Sequence, residues 1–403
     1  MTAAPSVPTL RDRAARHPAL VVAAIYLTAR VVTTLFIFIG VGMQERATGS
    51  ATTFENLSMR WDGQWYWLIA TQGYPATLPL DTAGNVTSNA WAFMPVYPWL
   101  SRAVAVVFGG AYPLAAILVA IGAGYGASLV LFRLLRERTG DTAALWAVAL
   151  FASGPLAALF QMGYAESLFL LWLFLALLAL VKRRYAWLYL FIPLMGFTRP
   201  GVLAFALMLG VYGTVRWVRR RTDPLPATEA VHIVFAGLLA VLIGFAWQLI
   251  AGYATGDPQA YMETELSWRR GWIGEGAFVP FDGFVQGAAL WFRLWGLLEI
   301  VAYLALAAAV VAIAAVIAFE PHVRRLGSEM RLWSASYVLY LLVVFFPQSS
   351  IFRLLLPLAP LYGAIAAPRH PLWRWGALLV GLIGQWWWIY QMLAIGNSYT
   401  QIP

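Results

Sequence analysis

The sequence predicts an all-α, polytopic membrane protein that forms a single integral membrane domain over residues 1–403. Of these residues 61% are hydrophobic and only 11% are charged, whereas soluble domains carry about a quarter charged residues. Long apolar runs recur along the chain, and lysine and arginine gather in every second connection between them. Because basic residues concentrate in cytoplasmic loops, this alternation predicts helices that cross the bilayer in opposite directions.

Eleven apolar runs make up the predicted bundle of transmembrane helices. They lie at about 19–42, 112–133, 142–162, 165–181, 185–198, 200–215, 231–251, 289–318, 332–346, 354–367 and 374–395. A spanning helix needs roughly 17–25 residues, and several of these runs are shorter. The bundle is therefore predicted to combine full spans with short paired helices.

Six clusters of basic residues fall on one side of the membrane when the chain crosses it eleven times. The clusters are Arg11/Arg13/Arg16, Arg133/Arg136/Arg138, Lys182/Arg183/Arg184, Arg216/Arg219/Arg220/Arg221, Arg324/Arg325/Arg331 and Arg369/Arg374. This bias places the N-terminus in the cytoplasm and the C-terminus outside, in a multi-pass protein of the plasma membrane. The net charge of +9 then belongs mainly to the cytoplasmic face, so no nucleic-acid partner is expected.

Two sizeable loops are left on the outer side in this topology. The first covers about 43–111 and ends in an amphipathic stretch, Pro98–Phe108, which is predicted to lie along the membrane interface. The second covers about 252–288 and contains several charged residues and tryptophans. Extracytoplasmic loops with interfacial helices are therefore part of the predicted fold.

Two pairs of apolar runs are too short for ordinary spanning hairpins. The run 185–198 rises only about 21 Å through a hydrocarbon core roughly 30 Å thick. Its turn into the run 200–215 carries Arg199, which is therefore predicted to lie below the outer surface. The runs 332–346 and 354–367 give the same prediction for the turn that carries Arg353.

Arg199 and Arg353 share this recessed position with Arg30, which stands midway through the first apolar run. A fixed charge at that depth is tolerated where it lines a wet cavity or a ligand. Because guanidinium groups match the geometry of phosphate, the three cations predict an anionic ligand, with phosphate favoured. The alternative is structural: the arginines pair with Glu166 or Glu299, or extend to the interface.

Carboxylates are the expected bases for any chemistry on the outer side. The chain has no cysteine, and its four histidines all fall at cytoplasmic ends of the predicted helices. Asp62 stands out among the outer acids because Trp61, Trp65 and Tyr66 surround it. Aromatic walls exclude water and stack on sugar faces, which favours proton transfer to the carboxylate. The alternative is an ordinary aromatic belt with a solvated acid beside it.

Three segments of the chain resemble a known family. The first is Arg60-Trp61-Asp62-Gly63-Gln64-Trp65-Tyr66, and the second is Phe93-Met94-Pro95-Val96-Tyr97-Pro98-Trp99. The third is Gly163-Tyr164-Ala165-Glu166-Ser167-Leu168-Phe169. Together they resemble bacterial members of the PIG-V mannosyltransferase family, which belongs to the GT-C superfamily of membrane glycosyltransferases. Weaker likenesses at Thr198-Arg199-Pro200, at Gly256-Asp257-Pro258 with Trp268, and at Arg353 extend the resemblance over most of the chain.

The resemblance implies a GT-C-like bundle and an inverting transfer of mannose from a polyprenyl-phosphate-mannose donor. Asp62 is then the catalytic base, and Arg199, Arg353 and Arg30 hold the donor phosphate. The residues that bind the substrates are then Trp61, Gln64, Trp65, Tyr66, Tyr97, Glu166, Trp268 and Arg269. Neither a metal nor another cofactor is expected, and the partners are the lipid-linked donor, membrane lipid and an acceptor glycan, glycolipid or protein. Eukaryotic members carry His-Phe where this chain has Trp65-Tyr66, so their acceptor is not implied.

Two other classes of protein remain open on the residues alone. A secondary transporter or lipid flippase with an anionic-ligand site also combines short paired helices with recessed charges. A non-catalytic membrane scaffold is the second alternative. Such a scaffold is expected to tolerate the loss of Asp62, Arg199 or Arg353 singly.

Overall fold

The computed structural model describes residues 17–49 and 51–394, and this part of the chain is helical. Within it, β pairing is limited to a single bridge between Leu80 and Val86. The all-α prediction is confirmed for these residues. The first basic cluster, Arg11/Arg13/Arg16, and position 395 at the end of the last predicted run lie outside them.

Eighteen α-helices form in the described residues, covering most of the eleven apolar runs and parts of the segments between them. The first part of the chain forms α1 (Pro18–Thr48), α2 (Phe54–Ser58), α3 (Asp62–Gln72), α4 (Val96–Val107), α5 (Tyr112–Thr139), α6 (Asp141–Ser153), α7 (Glu166–Val181), α8 (Leu188–Gly196) and α9 (Val202–Val218). The second part forms α10 (Ala227–Thr255), α11 (Ala260–Ile273), α12 (Asp282–Leu294), α13 (Glu299–Phe319), α14 (Pro321–Arg325), α15 (Ser328–Val344), α16 (Ile351–Leu354), α17 (Tyr362–Ile365) and α18 (Pro371–Trp388). Short 3₁₀ segments occupy Ala90–Ala92, Ala157–Gln161, Tyr185–Trp187 and Leu356–Leu361, and a π-helical turn, Ile389–Ala394, follows α18.

Five of the described helices are long and apolar enough to cross a membrane: α1, α5, α10, α13, and α18 with its π-helical extension. At 1.5 Å per residue each covers the roughly 30 Å of a hydrocarbon core. Several segments of this chain can therefore span a bilayer, as the composition predicts. Eleven crossings and their orientation stay predictions.

The two predicted short hairpins are short in the structure as well. Helix α8 has nine residues, which is about 14 Å, and it turns through Thr198–Gly201 into α9. After α15 the chain is extended to Gln348 and then forms only α16, a 3₁₀ segment and α17. Arg199 lies in the turn between α8 and α9, and Arg353 lies in the four-residue helix α16. Both positions fall in the connections for which the sequence predicts a recessed polar site.

The predicted apolar run 289–318 is not one helix. It is divided between α12 and α13 by a turn at 295–298, where Gly296 adopts a positive φ of 74°. Glycine tolerates this conformation without a steric penalty, so α12 ends there. Glu299 then lies in the first turn of α13, where a carboxylate favours a helix start. The predicted second outer segment, 252–288, therefore contains α11 and the start of α12, and α12 continues past residue 288.

The predicted first outer segment, 43–111, contains α2, α3 and α4. Along α4, Tyr97, Ser101 and Ala105 are buried, whereas Val106 and Val107 are largely exposed. Residues four apart share a face of a helix, so this pattern is the one-sided burial predicted for Pro98–Phe108. The depth of α4 in the membrane stays a prediction.

The core of the bundle is the contact between α5 and α7. Leu131, Phe132, Leu170, Phe174 and Leu177 from this pair are almost completely buried. By contrast, the helix α13 exposes most of its apolar side chains. Because lipid tails are as apolar as leucine, such exposure carries no penalty in a bilayer.

Candidate functional site

Four charged side chains from four separate segments meet in one buried cluster. Arg353 Nη1 lies 2.7 Å from Asp62 Oδ2 and 3.8 Å from Glu166 Oε1. Arg199 Nη1 lies 2.7 Å from Glu166 Oε1 and 3.9 Å from Asp62 Oδ2. Each guanidinium group therefore contacts both carboxylates, and the charge of this four-residue cluster is balanced.

The four side chains are almost removed from solvent. The exposed fractions of the side chains are 11% for Asp62, 4% for Glu166, 12% for Arg199 and 13% for Arg353. Buried ions persist only when they are paired and hydrogen-bonded. Two buried atoms of the cluster, Glu166 Oε2 and Arg353 Nε, nevertheless have no hydrogen-bond partner in the described part of the chain. The cluster thus retains capacity to bind a further polar group.

Asp62 enters the cluster from a strained turn. It is the first residue of α3, and Trp61 just before it has φ 55° and ψ −118°. A bulky residue with positive φ is rare, and such strain costs on the order of 1–3 kcal/mol. Strain of this kind persists where the surrounding packing holds the backbone in place. Here it turns the chain so that α3 begins at the carboxylate.

Two glycines explain why Asp62 and Glu166 meet. A Cβ at Gly63 would lie 3.2 Å from the Ser58 carbonyl oxygen and 3.5 Å from that of Gly163. A Cβ at Gly163 would lie 2.6 Å from Met59 Sδ. The Gly163 amide donates to the Ser58 carbonyl at 3.0 Å. The segments around Asp62 and Glu166 are therefore packed closely, with direct contact between their backbones.

Arg199 is held by the turn between α8 and α9. The Thr198 hydroxyl donates to the Leu194 carbonyl at 2.6 Å, which closes the last turn of α8. Gly201 follows with φ 138°, and a Cβ there would lie 3.3 Å from the ring of Phe169. The turn is thus pressed against α7, one helical turn from Glu166.

Arg353 is held by the irregular segment that follows α15. The Tyr337 hydroxyl donates to the Leu354 carbonyl and Trp333 Nε1 donates to the Pro357 carbonyl, both at 2.8 Å. These side chains fix the segment against the bundle. Beside the cluster lies a small cleft of about 20 Å³, roughly the space of one water molecule. It is lined by Glu166, Phe169, Leu170, Arg199, Pro200, Tyr337, Arg353, Leu354, Leu356 and Pro357.

An aromatic group next to Asp62 joins the first and second outer segments. Trp65 is stacked on Phe93 with ring centroids 5.8 Å apart, and its edge meets Trp268 at 6.0 Å. Tyr66 contacts Phe93 at 5.4 Å and Tyr97 at 5.0 Å. Trp65 and Trp268 are only partly buried, so part of each ring surface is available for a ligand.

Four further predicted substrate-binding residues lie outside the ion-pair cluster, and three of them contact other parts of the protein. The Tyr97 hydroxyl donates to the Ala116 carbonyl at 2.9 Å, and Arg269 Nη2 donates to the Ala277 carbonyl at 3.1 Å. Trp61 packs against the main hydrophobic core, and Gln64 is exposed. Tyr97 and Arg269 therefore stabilise the backbone near the site through these hydrogen bonds.

Arg30 is placed differently from the other two recessed arginines. Its Nη1 donates to the Ala157 carbonyl and its Nη2 to the Ala152 carbonyl, both at 2.5 Å. The guanidinium carbon also lies 5.1 Å from the centre of the Tyr26 ring and 5.5 Å from that of Phe160. Ala152 is near the end of α6, where backbone carbonyls have no partner within the helix. This geometry favours the structural alternative for Arg30, in the form of a helix cap.

We expect Arg30→Met to weaken the fold and to leave ligand binding at the ion-pair cluster unchanged. The variant leaves two buried carbonyl groups without donors, each costing roughly 1–3 kcal/mol. Thermal unfolding of the purified protein in detergent measures the loss. Arg46→Met on the exposed end of the same helix is the matched control. Weaker phosphate binding in a normally stable Arg30→Met protein would restore the predicted phosphate-binding role.

Sequence reasoning missed two contributors to the site. Tyr337 lines the cleft and orients the Arg353 segment, but it gave no signal because aromatic residues are common in apolar runs. Glu265 on α11 is the second, since it interacts electrostatically with Arg199 and Asp62. In the described residues no group of three or more potential metal ligands occurs, and the absence of a metal from the reaction stays a prediction.

No protein-family model and no curated protein matches this chain. The family resemblance therefore rests on the residues of the chain itself. In the structure, Asp62 of the first segment and Glu166 of the third meet Arg199 and Arg353.

Proposed function

We propose that this protein is an inverting glycosyltransferase that moves a sugar from a polyprenyl-phosphate donor to an acceptor hydroxyl on the extracytoplasmic side of the membrane. The observation that carries the proposal is the buried contact of Asp62 with both Arg199 and Arg353. A base next to a site for a leaving phosphate is what such a transfer requires. Mannose is the sugar that the family resemblance favours.

The transfer is a single displacement at the anomeric carbon. Asp62 takes the proton of the acceptor hydroxyl while the acceptor oxygen forms its bond to that carbon. The bond between the carbon and the phosphate oxygen breaks, and its electron pair leaves with the polyprenyl phosphate. Arg199 and Arg353 stabilise the charge that develops on this leaving group, because fixed donors act strongly where water is excluded. Attack opposite the leaving phosphate inverts the anomeric configuration.

Binding of the donor requires an exchange of ion pairs. In the free protein each arginine is neutralised by a carboxylate, with contacts of 2.7 Å for Arg353 to Asp62 and for Arg199 to Glu166. A donor phosphate competes with these carboxylates for the guanidinium groups, since both ligand types suit the planar fork of arginine. Its binding frees Asp62 from Arg353. The base thus becomes available when the donor is present.

The aromatic surfaces and the remaining polar groups position the sugars. Trp65 and Trp268 offer partly exposed rings beside Asp62, and aromatic rings are apolar surfaces that suit sugar faces. Glu166 holds Arg199 in place and has one unpartnered oxygen. Gln64 is exposed at the start of α3 and is available to an acceptor.

The proposal is tested with purified protein, radiolabelled polyprenyl-phosphate mannose and a membrane glycolipid extract, with products identified by mass. A labelled product that depends on the protein is expected, together with release of polyprenyl phosphate. The same donor panel with glucose, galactose or arabinose identifies the sugar. Uptake of labelled ligand into sealed proteoliposomes without a covalent product would instead identify a transporter or flippase.

A further inference from the structure

Helix α11 presents a third acidic side chain to the ion-pair cluster. Glu265 is partly buried on the face of α11 that also carries Tyr261 and Trp268, which are four residues before it and three after it. The opposite helix α3 has the matching arrangement, with Trp65 three residues after Asp62. The two tryptophans meet edge to face at 6.0 Å. The two acid–tryptophan pairs thus face each other between the outer segments.

The position of α11 is fixed by polar contacts to both neighbouring segments. Asn89 Nδ2 donates to the buried Thr264 hydroxyl at 2.8 Å. Gln348 Nε2, in the segment that leads to Arg353, donates to the Trp268 carbonyl at 3.2 Å. These contacts hold the 264–268 turn of α11 over the site. Glu265 therefore has a defined place in it.

The charges and titratable groups around Glu265 come from four parts of the chain. Tyr261 on its own helix forms a hydrogen bond with the carboxylate, and Tyr340 of α15 lies near it. Arg199 and Asp62 act on it from the turn after α8 and from α3. Burial raises the pKa of Glu265 to about 7, against the smaller lowering effects of Tyr261 and Arg199. The carboxyl group is consequently poised between its neutral and charged forms near neutral pH.

We propose that Glu265 is a further binding-site residue whose charge controls the affinity of the cluster for an anionic phosphate ligand. The inference rests on the proposed function, because it assigns the phosphate of the donor to Arg199 and Arg353. When Glu265 is neutral, the cluster of two arginines and two carboxylates has no net charge, and a phosphodiester adds one negative charge. When Glu265 is ionised, the same phosphodiester meets an additional negative charge at a poorly solvated site.

The sign of the pH effect follows from this arrangement. A phosphodiester has no second acidic proton, so its own charge stays constant around neutral pH. As the pH rises through about 7, Glu265 loses its proton and repels the ligand. Donor affinity is therefore expected to fall on the order of tenfold between about pH 6 and about pH 8.5. Ligand binding near neutral pH takes up protons for the same reason.

The experiment measures the dissociation constant of citronellyl-phosphate-mannose, a short-chain donor, against pH by calorimetry. Wild-type protein is compared with Glu265→Gln, which keeps the size of the side chain and cannot ionise. Glu263→Gln, two positions earlier on the same helix, is the control with the same change in net charge. We expect the pH dependence to disappear in Glu265→Gln and to persist in Glu263→Gln.

Tyr261→Phe supplies a second readout that a purely structural role would not give. The hydrogen bond from Tyr261 lowers the pKa of Glu265, so its removal is expected to move the loss of affinity to higher pH. Retention of the wild-type pH dependence in Glu265→Gln overturns the inference. Donor that binds with the expected pH dependence but is never transferred overturns only the glycosyltransferase proposal, and no binding at any pH overturns both.

Discussion

Replacement of Asp62 by Asn is expected to lower the rate of sugar transfer by at least about a hundredfold. Loss of a positioned general base typically costs between 10² and 10⁴ in rate. The amide keeps the shape of the carboxylate but cannot take the acceptor proton. Initial rates with saturating donor and acceptor measure the effect. The purified variant is first checked for a cooperative thermal transition, which is expected at a lower temperature because Arg353 loses its nearest carboxylate.

Donor binding by Asp62→Asn is expected to be at least as tight as that of the wild type. Asp62 Oδ2 lies 2.7 Å from Arg353 Nη1, so the carboxylate competes with phosphate for this guanidinium group. The amide competes less because it carries no charge. Glu55→Gln, an exposed acid of the same outer segment, is the control and should leave rate and binding unchanged. Turnover by Asp62→Asn within tenfold of the wild-type rate would show that another group is the base.

The second large effect is expected for Arg353→Gln, which should lose both donor binding and thermal stability. The variant leaves Asp62 and Glu166 with Arg199 as the one cation among the four cluster residues. Removing one partner of a buried ion pair costs about 3–5 kcal/mol, because the other charge stays buried without compensation. Thermal unfolding in detergent and titration with the short-chain donor measure the two losses.

A double variant separates charge balance from phosphate binding. Asp62→Asn combined with Arg353→Gln again has equal numbers of charges, so it is expected to unfold at a higher temperature than Arg353→Gln alone. Its donor binding should stay weak, since one of the two phosphate-binding groups is absent. Arg293→Gln is the control, because Arg293 forms a surface pair with Glu299 at 3.9 Å and its side chain is 66% exposed. Equal stability of the single and double variants would show that Asp62 and Arg353 do not stabilise each other.

Local signals in the sequence were sufficient to find most of the cluster. Asp62 was noticeable because of its aromatic neighbours, and Arg199 and Arg353 because each lies in a turn between unusually short apolar runs. A short run limits how far a helix can climb, so chain length alone indicates that such a turn is recessed. Glu166 followed from the resemblance and from its place at a helix start. The structure brings these four residues together.

The same signals do not give the direction in which a side chain points. Arg30 lies midway through the first apolar run, and in the structure its guanidinium group donates to carbonyl groups of Ala152 and Ala157, at and just after the end of α6. Depth along a helix can be counted from sequence, whereas rotation about its axis is set by packing against neighbours. Glu265 was hidden for a related reason. Charged residues surround it in the second outer segment, and such a pattern usually indicates a solvated surface.

The division of the apolar run 289–318 shows a third reason why parts of the structure could not be predicted from local sequence. Gly296 ends α12 with a positive φ, yet glycine is frequent within membrane helices and gave no reason to expect a break there. Helix α12 also packs closely on the extended segment after α15, since a Cβ at Gly283 would lie 2.6 Å from the Phe345 carbonyl oxygen. That contact between distant segments cannot be read from local composition.

The sequence by itself determined that this is a helical protein suited to a membrane, with polar groups set at the ends of short apolar runs. Hydrophobicity and run length are sums over neighbouring residues, and such sums require no knowledge of the fold. The tertiary structure alone decided which of the recessed charges meet. Ion pairing depends on distances of a few ångströms between segments up to 291 positions apart, and those distances follow from helix packing and from close backbone contacts at Gly63 and Gly163.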